Sequence, residues 1–99
     1  MTTTEGSISI VFEEGQNRSA AYDGDKLIGE CEYIPTDNTW SITHTGVREA
    51  YGGKGIARML VLKVIEAARS KGVKINPVCS YAQKLMSGKD DFKDVLSIQ

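Results

Sequence analysis

Thr45-Gly46-Val47-Arg48-Glu49-Ala50-Tyr51-Gly52-Gly53-Lys54-Gly55-Ile56-Ala57 joins an apolar, strand-like run to the only long helical pattern in the chain. Three glycines and a lysine stand at that junction, just ahead of the helix. A helix start leaves its first backbone N–H groups unpaired and carries a partial positive charge. Glycines let another molecule come close to those groups. Strand, Gly-rich loop and helix therefore make an anion site, most often for phosphate.

Upstream of the loop the chain reads as strands. Residues 1–6 read as a frayed end. Ile8, Ile10 and Phe12 alternate with Ser9, Val11 and Glu13, the pattern of a half-buried strand. Arg18 to Tyr22 reads as a weak strand, since its alanines offer little to pack. Asp23-Gly24-Asp25 is a hairpin signal. It leads into a strand with Leu27, Cys31 and Tyr33 on one face and Ile28 and Ile34 on the other. Pro35 to Thr39 reads as a turn, followed by a strand to Val47 with Trp40, Ile42 and His44 on one side. The expected result is an antiparallel meander of four strands.

Downstream, a helix is expected from about Lys54 to Ser70, stopped by Lys71-Gly72. On its wheel Ile56, Ala57, Leu60, Val61, Val64, Ile65, Ala67 and Ala68 fill one arc, and Met59 and Leu62 fall in the polar arc. Val73 to Val78 should form a strand parallel to the fourth, as a strand–helix–strand crossover implies. Pro77 cannot donate to a ladder, so the two parallel strands should part there and leave a slot above the loop. Ser80 with Gln83 matches a capping box and predicts a short helix to about Met86. The tail from Lys89 is amphipathic and suits a final strand or turn. The fold class expected is α/β (α+β): a mixed sheet of about five strands, one long helix and one short C-terminal helix.

The bulk numbers narrow the function. Ninety-nine residues make a single domain, 1–99, with one core. A net charge of -1 provides no basic field for nucleic acid or anionic membrane. The first residues lack the regions of a signal peptide, and no apolar run is long enough to span a bilayer. Cys31 and Cys79 lack metal-ligand spacing, and reduced thiols fit a cytoplasmic protein.

The loop fails as a Walker motif, because no Ser or Thr follows Lys54. It fails as a dinucleotide fingerprint, because the third glycine is missing and antiparallel strands come first. Gly52-Gly53-Lys54-Gly55 formally fits the GXXG loop of an RNA-binding module, yet a strand precedes it where a helix belongs. The stretch resembles the pyrophosphate-binding motif of the GCN-related N-acetyltransferase (GNAT) superfamily, Gln/Arg-x-x-Gly-x-Gly/Ala. Gly55 and Ala57 fill its last two places, and Gly52 departs from the first. His44-Thr45-Gly46-Val47, the loop and Cys79-Ser80-Tyr81 together look like a group of small GNAT-like proteins of about this length.

The resemblance implies acetyl-coenzyme A as the cofactor. Its pantetheine would lie near Val47, and its phosphates would be held by Gly52, Gly53, Lys54, Gly55, Ile56, Ala57 and Arg58, with Ser80 close by. It also implies Cys79 as acetyl acceptor. From the residues themselves, Ser80 as cap would set Cys79 just before a helix start, where the field favours thiolate. The plain alternative is a small buried hydrophobe, which is also the reading for Cys31. His44, the only histidine, is either a base for the thiol or the amine, or a half-buried ring bonding its neighbours. Tyr81 stands where many members of the superfamily keep a proton donor.

The expected activity is acetyl transfer from acetyl-coenzyme A to an amine, by direct attack or through acetyl-Cys79, in a monomer or weak dimer. The alternatives are a non-catalytic module that binds or senses acyl-coenzyme A, and an RNA-binding module.

Overall fold

The computed structural model describes residues 8–97. The expected frayed end lies outside the described residues. Alternation forms β1 (Ile8–Glu13), and a 3-10 turn closed by Asn17 leads into β2 (Arg18–Asp23). The two-residue turn Gly24-Asp25 then gives β3 (Lys26–Thr36). A turn of only Asp37 and Asn38 gives β4 (Thr39–Val47). After the loop come α1 (Ile56–Lys71), β5 (Lys74–Pro77) and α2 (Ser80–Met86). The sheet runs β1-β2-β3-β4-β5, antiparallel except for the parallel β4–β5 pair. This is the mixed sheet that the sequence predicts.

Helix α1 lies against the sheet and buries Ile56, Leu60, Val61, Val64, Ile65 and Ala68, all from the expected apolar arc. It starts at Ile56 rather than Lys54, because Gly55 is left-handed and ends the loop. Met59 is exposed, while Leu62 packs partly against the core.

Strand β2 overturns the reading of a weak, poorly packed strand. Ser19, Ala20 and Ala21 are completely buried. Their small size is what the packing requires. Ser19 Oγ donates to the backbone carbonyl of Leu60 at 2.7 Å, so α1 passes too close for a larger side chain. The small residues also leave room for Phe12 to reach across β2 and stack on Tyr33 and Trp40, whose own rings lie 4.2 Å apart.

Two bulges change which residues share a face. Ala21 pairs with Gly29 but Tyr22 with Leu27, so Ile28 is an extra residue on β3. Ile28 is buried in the core while Ile34 is exposed, so the two do not share a face. Glu32 pairs with His44 but Tyr33 with Ile42, so Thr43 is extra on β4. Side chains alternate along a strand, and an inserted residue inverts the alternation beyond it. Trp40 and Ile42 therefore face α1, whereas His44 turns to the opposite face, against the expectation that all three share one side. Pro35 is in the ladder, paired with Trp40, not in the turn. β2 has ended at Arg18, so a proline there breaks no ladder bond on that side.

The tail forms a 3-10 turn at Asp90–Phe92 and then lies parallel to β5 through an Ile75–Leu96 bridge. Phe92 and Val95 are buried, and Arg69 grips Asp94 through Nε and Nη2 at 2.9 and 3.1 Å. The tail covers the outer edge of β5.

Candidate active site

The β4–β5 ladder stops at Ile42 and Pro77. The amides of Val78 and Cys79 then both donate to the single carbonyl of Ile42, at 3.0 and 2.9 Å. The chain turns away into α2, while β4 runs on from Thr43 to Val47 paired with β3 and, among the described residues, with no strand on its other side. The sheet is forked at this point, as Pro77 predicts.

Above the fork lies a cavity of about 250 Å³, lined by Val47, Tyr51, Gly52, Gly53, Gly55, Ile56, Ala57 and Tyr81. Gly53 and Gly55 hold φ of 76° and 79°, a left-handed region that a side chain strains, so the loop's course depends on them. No side chain caps α1 at Gly55, which leaves the N–H groups of its first turn open. The loop is tied down by the Tyr51 hydroxyl, which donates to Asp23 at 2.5 Å. That bond, first, then burial and the Asp23 charge, raise the Tyr51 pKa. Of the residues expected around the cofactor, Val47, Gly52, Gly53, Gly55, Ile56 and Ala57 line this cavity. Lys54 and Arg58 are exposed outside its lining, and Ser80 is not part of it. Gly52 is extended, with φ −67° and ψ 157°. A Cβ added there meets only Glu49 O at 3.4 Å, so a side chain fits.

Cys79 is half-buried at the fork. It, not Ser80, is the N-cap of α2: its Sγ accepts from the Ala82 amide at 3.4 Å. The expected capping box does not form, since Ala82 holds the place three residues after the cap, and Gln83 Nε2 donates to Val78 O instead. Thr45 Oγ1, which the sequence did not single out, stands 3.5 Å from Cys79 Sγ and donates to Cys31 Sγ at 3.6 Å. Burial pushes the Cys31 thiol up to about 12, so Cys31 remains protonated at any ordinary pH.

His44 is not brought to Cys79. It follows the Thr43 bulge and precedes Thr45, so its ring leaves the sheet on the other side. There Nε2 lies 3.3 Å from Glu30 Oε2. A Cβ on Gly46 would stand 3.0 Å from His44 Nε2, so the bare backbone of Gly46 makes room for the imidazole. A base for the Cys79 thiol is therefore not what this histidine supplies.

A second cavity, about 340 Å³, is lined by Leu27, Ile28, Gly29, Glu30, Gly46, Val47 and Arg48. Val47 borders both cavities, and no residue of α1 lines the second. Among the described residues no group of three metal-ligating side chains occurs, and no helix is long and apolar enough to cross a membrane.

Comparison with known proteins agrees with this architecture. No curated protein sequence matches the chain. The solution structure of a GCN5-like protein from Staphylococcus aureus is 32% identical, with a TM-score of 0.68, and the match covers 97% of this chain and 90% of that one. A GNAT-family protein from Desulfovibrio desulfuricans, 22% identical, superposes with a TM-score of 0.56 over 61% of this chain. The PaiA N-acetyltransferase of Thermoplasma acidophilum, solved with coenzyme A, is 23% identical with a TM-score of 0.54 over 57% of this chain. These two share the fold, and the chain covers only 41% and 35% of their lengths. The family model for GCN5-related N-acetyltransferases matches residues 18–95. With most of its length under that model and a near full-length relative of the same kind, the chain belongs to the GCN5-related N-acetyltransferase family.

Proposed function

We propose that the chain transfers an acetyl group from acetyl-coenzyme A to an amine, and that Cys79 carries the acetyl group between them. The observation behind this reading is the fork: a thiol stands where β4 and β5 part, two residues before Tyr81, which lines the cavity at the open end of α1. Phosphates would meet the free amides of the glycine loop and first turn, with Lys54 and Arg58 outside as counter-charges. Pantetheine would run past Val47 toward Cys79. One member of the same fold, PaiA from Thermoplasma acidophilum, was solved with coenzyme A, which supports the choice of cofactor.

In the first half-reaction the Cys79 thiolate attacks the thioester carbonyl. A new S–C bond forms, the bond to coenzyme A breaks, and the departing thiolate takes up the proton that Cys79 released. In the second half, a neutral amine attacks acetyl-Cys79. The N–C bond forms, the Cys79 S–C bond breaks, and a proton passes from nitrogen to sulfur. In the first half, Tyr81, on the cavity wall, is the side chain available to pass the proton to coenzyme A, giving up its own and taking the one from Cys79.

Intact mass after incubation with acetyl-coenzyme A tests this. The expected result is one acetyl adduct that is absent in Cys79→Ala. Transfer to amines with full activity in Cys79→Ala would rule out the relay. A specific observation favours direct attack as the second reading: His44 bonds Glu30 on the opposite face of the sheet, and Glu30 lines a second cavity there. Binding of coenzyme A without transfer to any amine would instead identify a sensing module. We take the acting unit to be this one domain, as a monomer or weak dimer, in the cytoplasm, where Cys31 and Cys79 stay reduced.

A further inference from the structure

The second cavity shares only Val47 with the expected cofactor contacts, and its floor is built by the sheet register. Glu30 lies between Ala20 on β2 and Gly46 on β4. Gly46, which has no side chain, lines the cavity beside Glu30, while Ala20 is fully covered. The carboxylate is therefore open on the β4 side, with His44 leaning over Gly46 to reach it at 3.3 Å. Glu32, two residues on along the same face, pairs with His44 and adds a second negative charge. At the other end of the cavity is Arg48, exposed, its Nε held by the carbonyl of Leu27 at 3.1 Å and its amide by Ile28 O at 2.8 Å. Those two bonds fix the root of the guanidinium at the cavity rim. Leu27 and Val47 supply apolar wall between the charges.

A pocket with carboxylate at one end, guanidinium at the other and apolar wall between is complementary to a zwitterion. An ammonium group suits Glu30, and a carboxylate suits the planar donors of Arg48. A diamine of the same length would set its second ammonium against Arg48, and an alkylamine would leave Arg48 without a counter-charge. The volume of about 340 Å³ falls within the roughly 300–1,000 Å³ range of small-molecule sites. Val47 is the shared wall, so a molecule here would lie next to the cofactor cavity at the end of β4.

We infer that this cavity binds the acetyl acceptor, and that the acceptor is a small amino acid-like amine whose ammonium meets Glu30 and whose carboxylate meets Arg48. The assignment of this cavity to the acceptor rests on the direct-attack form of the acetyl-transfer reading, since Glu30 and His44 stand on the sheet face opposite the Cys79 sulfur. The binding of a zwitterion does not, and is tested without cofactor.

The probes are ω-amino acids of increasing length, from glycine to 6-aminohexanoate, each paired with the alkylamine and the diamine of equal length. Amide shifts of Glu30, Gly46 and Arg48 in NMR titrations report binding at this site. The expected result is that at one length or more the amino acid binds at least tenfold tighter than both partners. Arg48→Gln should erase most of that preference, Arg48→Lys should keep part of it, and Glu30→Gln should weaken all the amines. Equal affinity across a matched set, tightest binding of the diamines, or a preference that survives Arg48→Gln would each overturn the inference. Coenzyme A binding, followed separately by thermal shift, reports on the acetyl-transfer reading alone. Zwitterion binding without coenzyme A binding would thus sink that reading and leave the pocket's chemistry intact.

Discussion

Thr45 puts one hydroxyl between two sulfurs, and the two are unequal. Cys31 is buried and held protonated, so it serves as a hydrogen-bond partner and not as a nucleophile. Cys79 is half-buried at the fork and accepts an amide bond from Ala82. Iodoacetamide at pH 8 should label Cys79 and spare Cys31 until the chain is denatured. The Thr45 hydroxyl can turn from Cys31 to donate to a Cys79 thiolate, so Thr45→Val should slow Cys79 labelling about fivefold, the worth of one hydrogen bond of ~1 kcal/mol. Thr45→Ser should restore most of the rate, and no change in Thr45→Val would deny the hydroxyl any part. At Gly52, where the family motif calls for Gln or Arg, the backbone is extended and a Cβ has room. Gly52→Gln should therefore fold normally and tighten coenzyme A by about three- to tenfold, one added hydrogen bond's worth. Unchanged or weaker affinity by calorimetry would show that the side chain does not reach the phosphates.

At the scale of elements, α1 organises the core and β2 yields to it. Leu60→Ala should cost about 2–5 kcal/mol in denaturant unfolding, as a completely buried leucine facing packed neighbours does. Ser19→Ala leaves the Leu60 carbonyl one bond short and should cost about 1 kcal/mol. Helix α1 was legible in the sequence because its apolar arc is a local pattern with a period of 3.6. The glycine loop, the parallel crossover and the fork at Pro77 were legible for similar reasons, each following from residues within a few positions. The need for a small residue at Ser19 was not, because its cause is a helix backbone 41 residues away. Both bulges escaped as well, since an extra residue exists only relative to a partner strand. The cap of α2 was assigned to Ser80 because oxygen side chains are the usual caps, whereas sulfur does the work here. Glu30 escaped entirely. Nothing near it in the sequence hints that register would set it between an alanine and a glycine.

Over the whole molecule, the charged and titrating groups set opposite limits on stability. Glu13, bonded by Tyr22 and then Arg18, and Asp94, bonded by Arg69, have carboxyl pKa values lowered from 4.5 and 3.8. Their contribution is present above those values and is lost as pH falls below them. Cys31 and the phenols of Tyr22, Tyr33 and Tyr51 are raised from 9.0 and 10.0. For these the neutral form is favoured in the fold, so their contribution is present below pH 9 and is lost as pH rises beyond it. The denaturation midpoint should be flat between about pH 5 and 8, fall on both sides, and fall less steeply above pH 9 in Cys31→Ala. An alkaline limb identical in that variant would remove Cys31 from the account.

The bulge at Thr43 has a further consequence. It acts on the chain as a frameshift acts on a message: one inserted unit, and everything after it is read in the other phase. Up to Ile42 the inward-facing residues of β4 are spelled on even numbers, and from Thr45 on odd ones. Deleting Thr43 would remove the bulge and leave Glu32 opposite His44 and Tyr33 opposite Ile42, so Thr45 would keep its place at the sulfurs. Inserting an alanine between His44 and Thr45 would instead put every later residue in the wrong phase and turn Thr45 away from the sulfurs. The insertion should lower the denaturation midpoint far more than the deletion, and the reverse order would show that the bulge itself is what the strand needs.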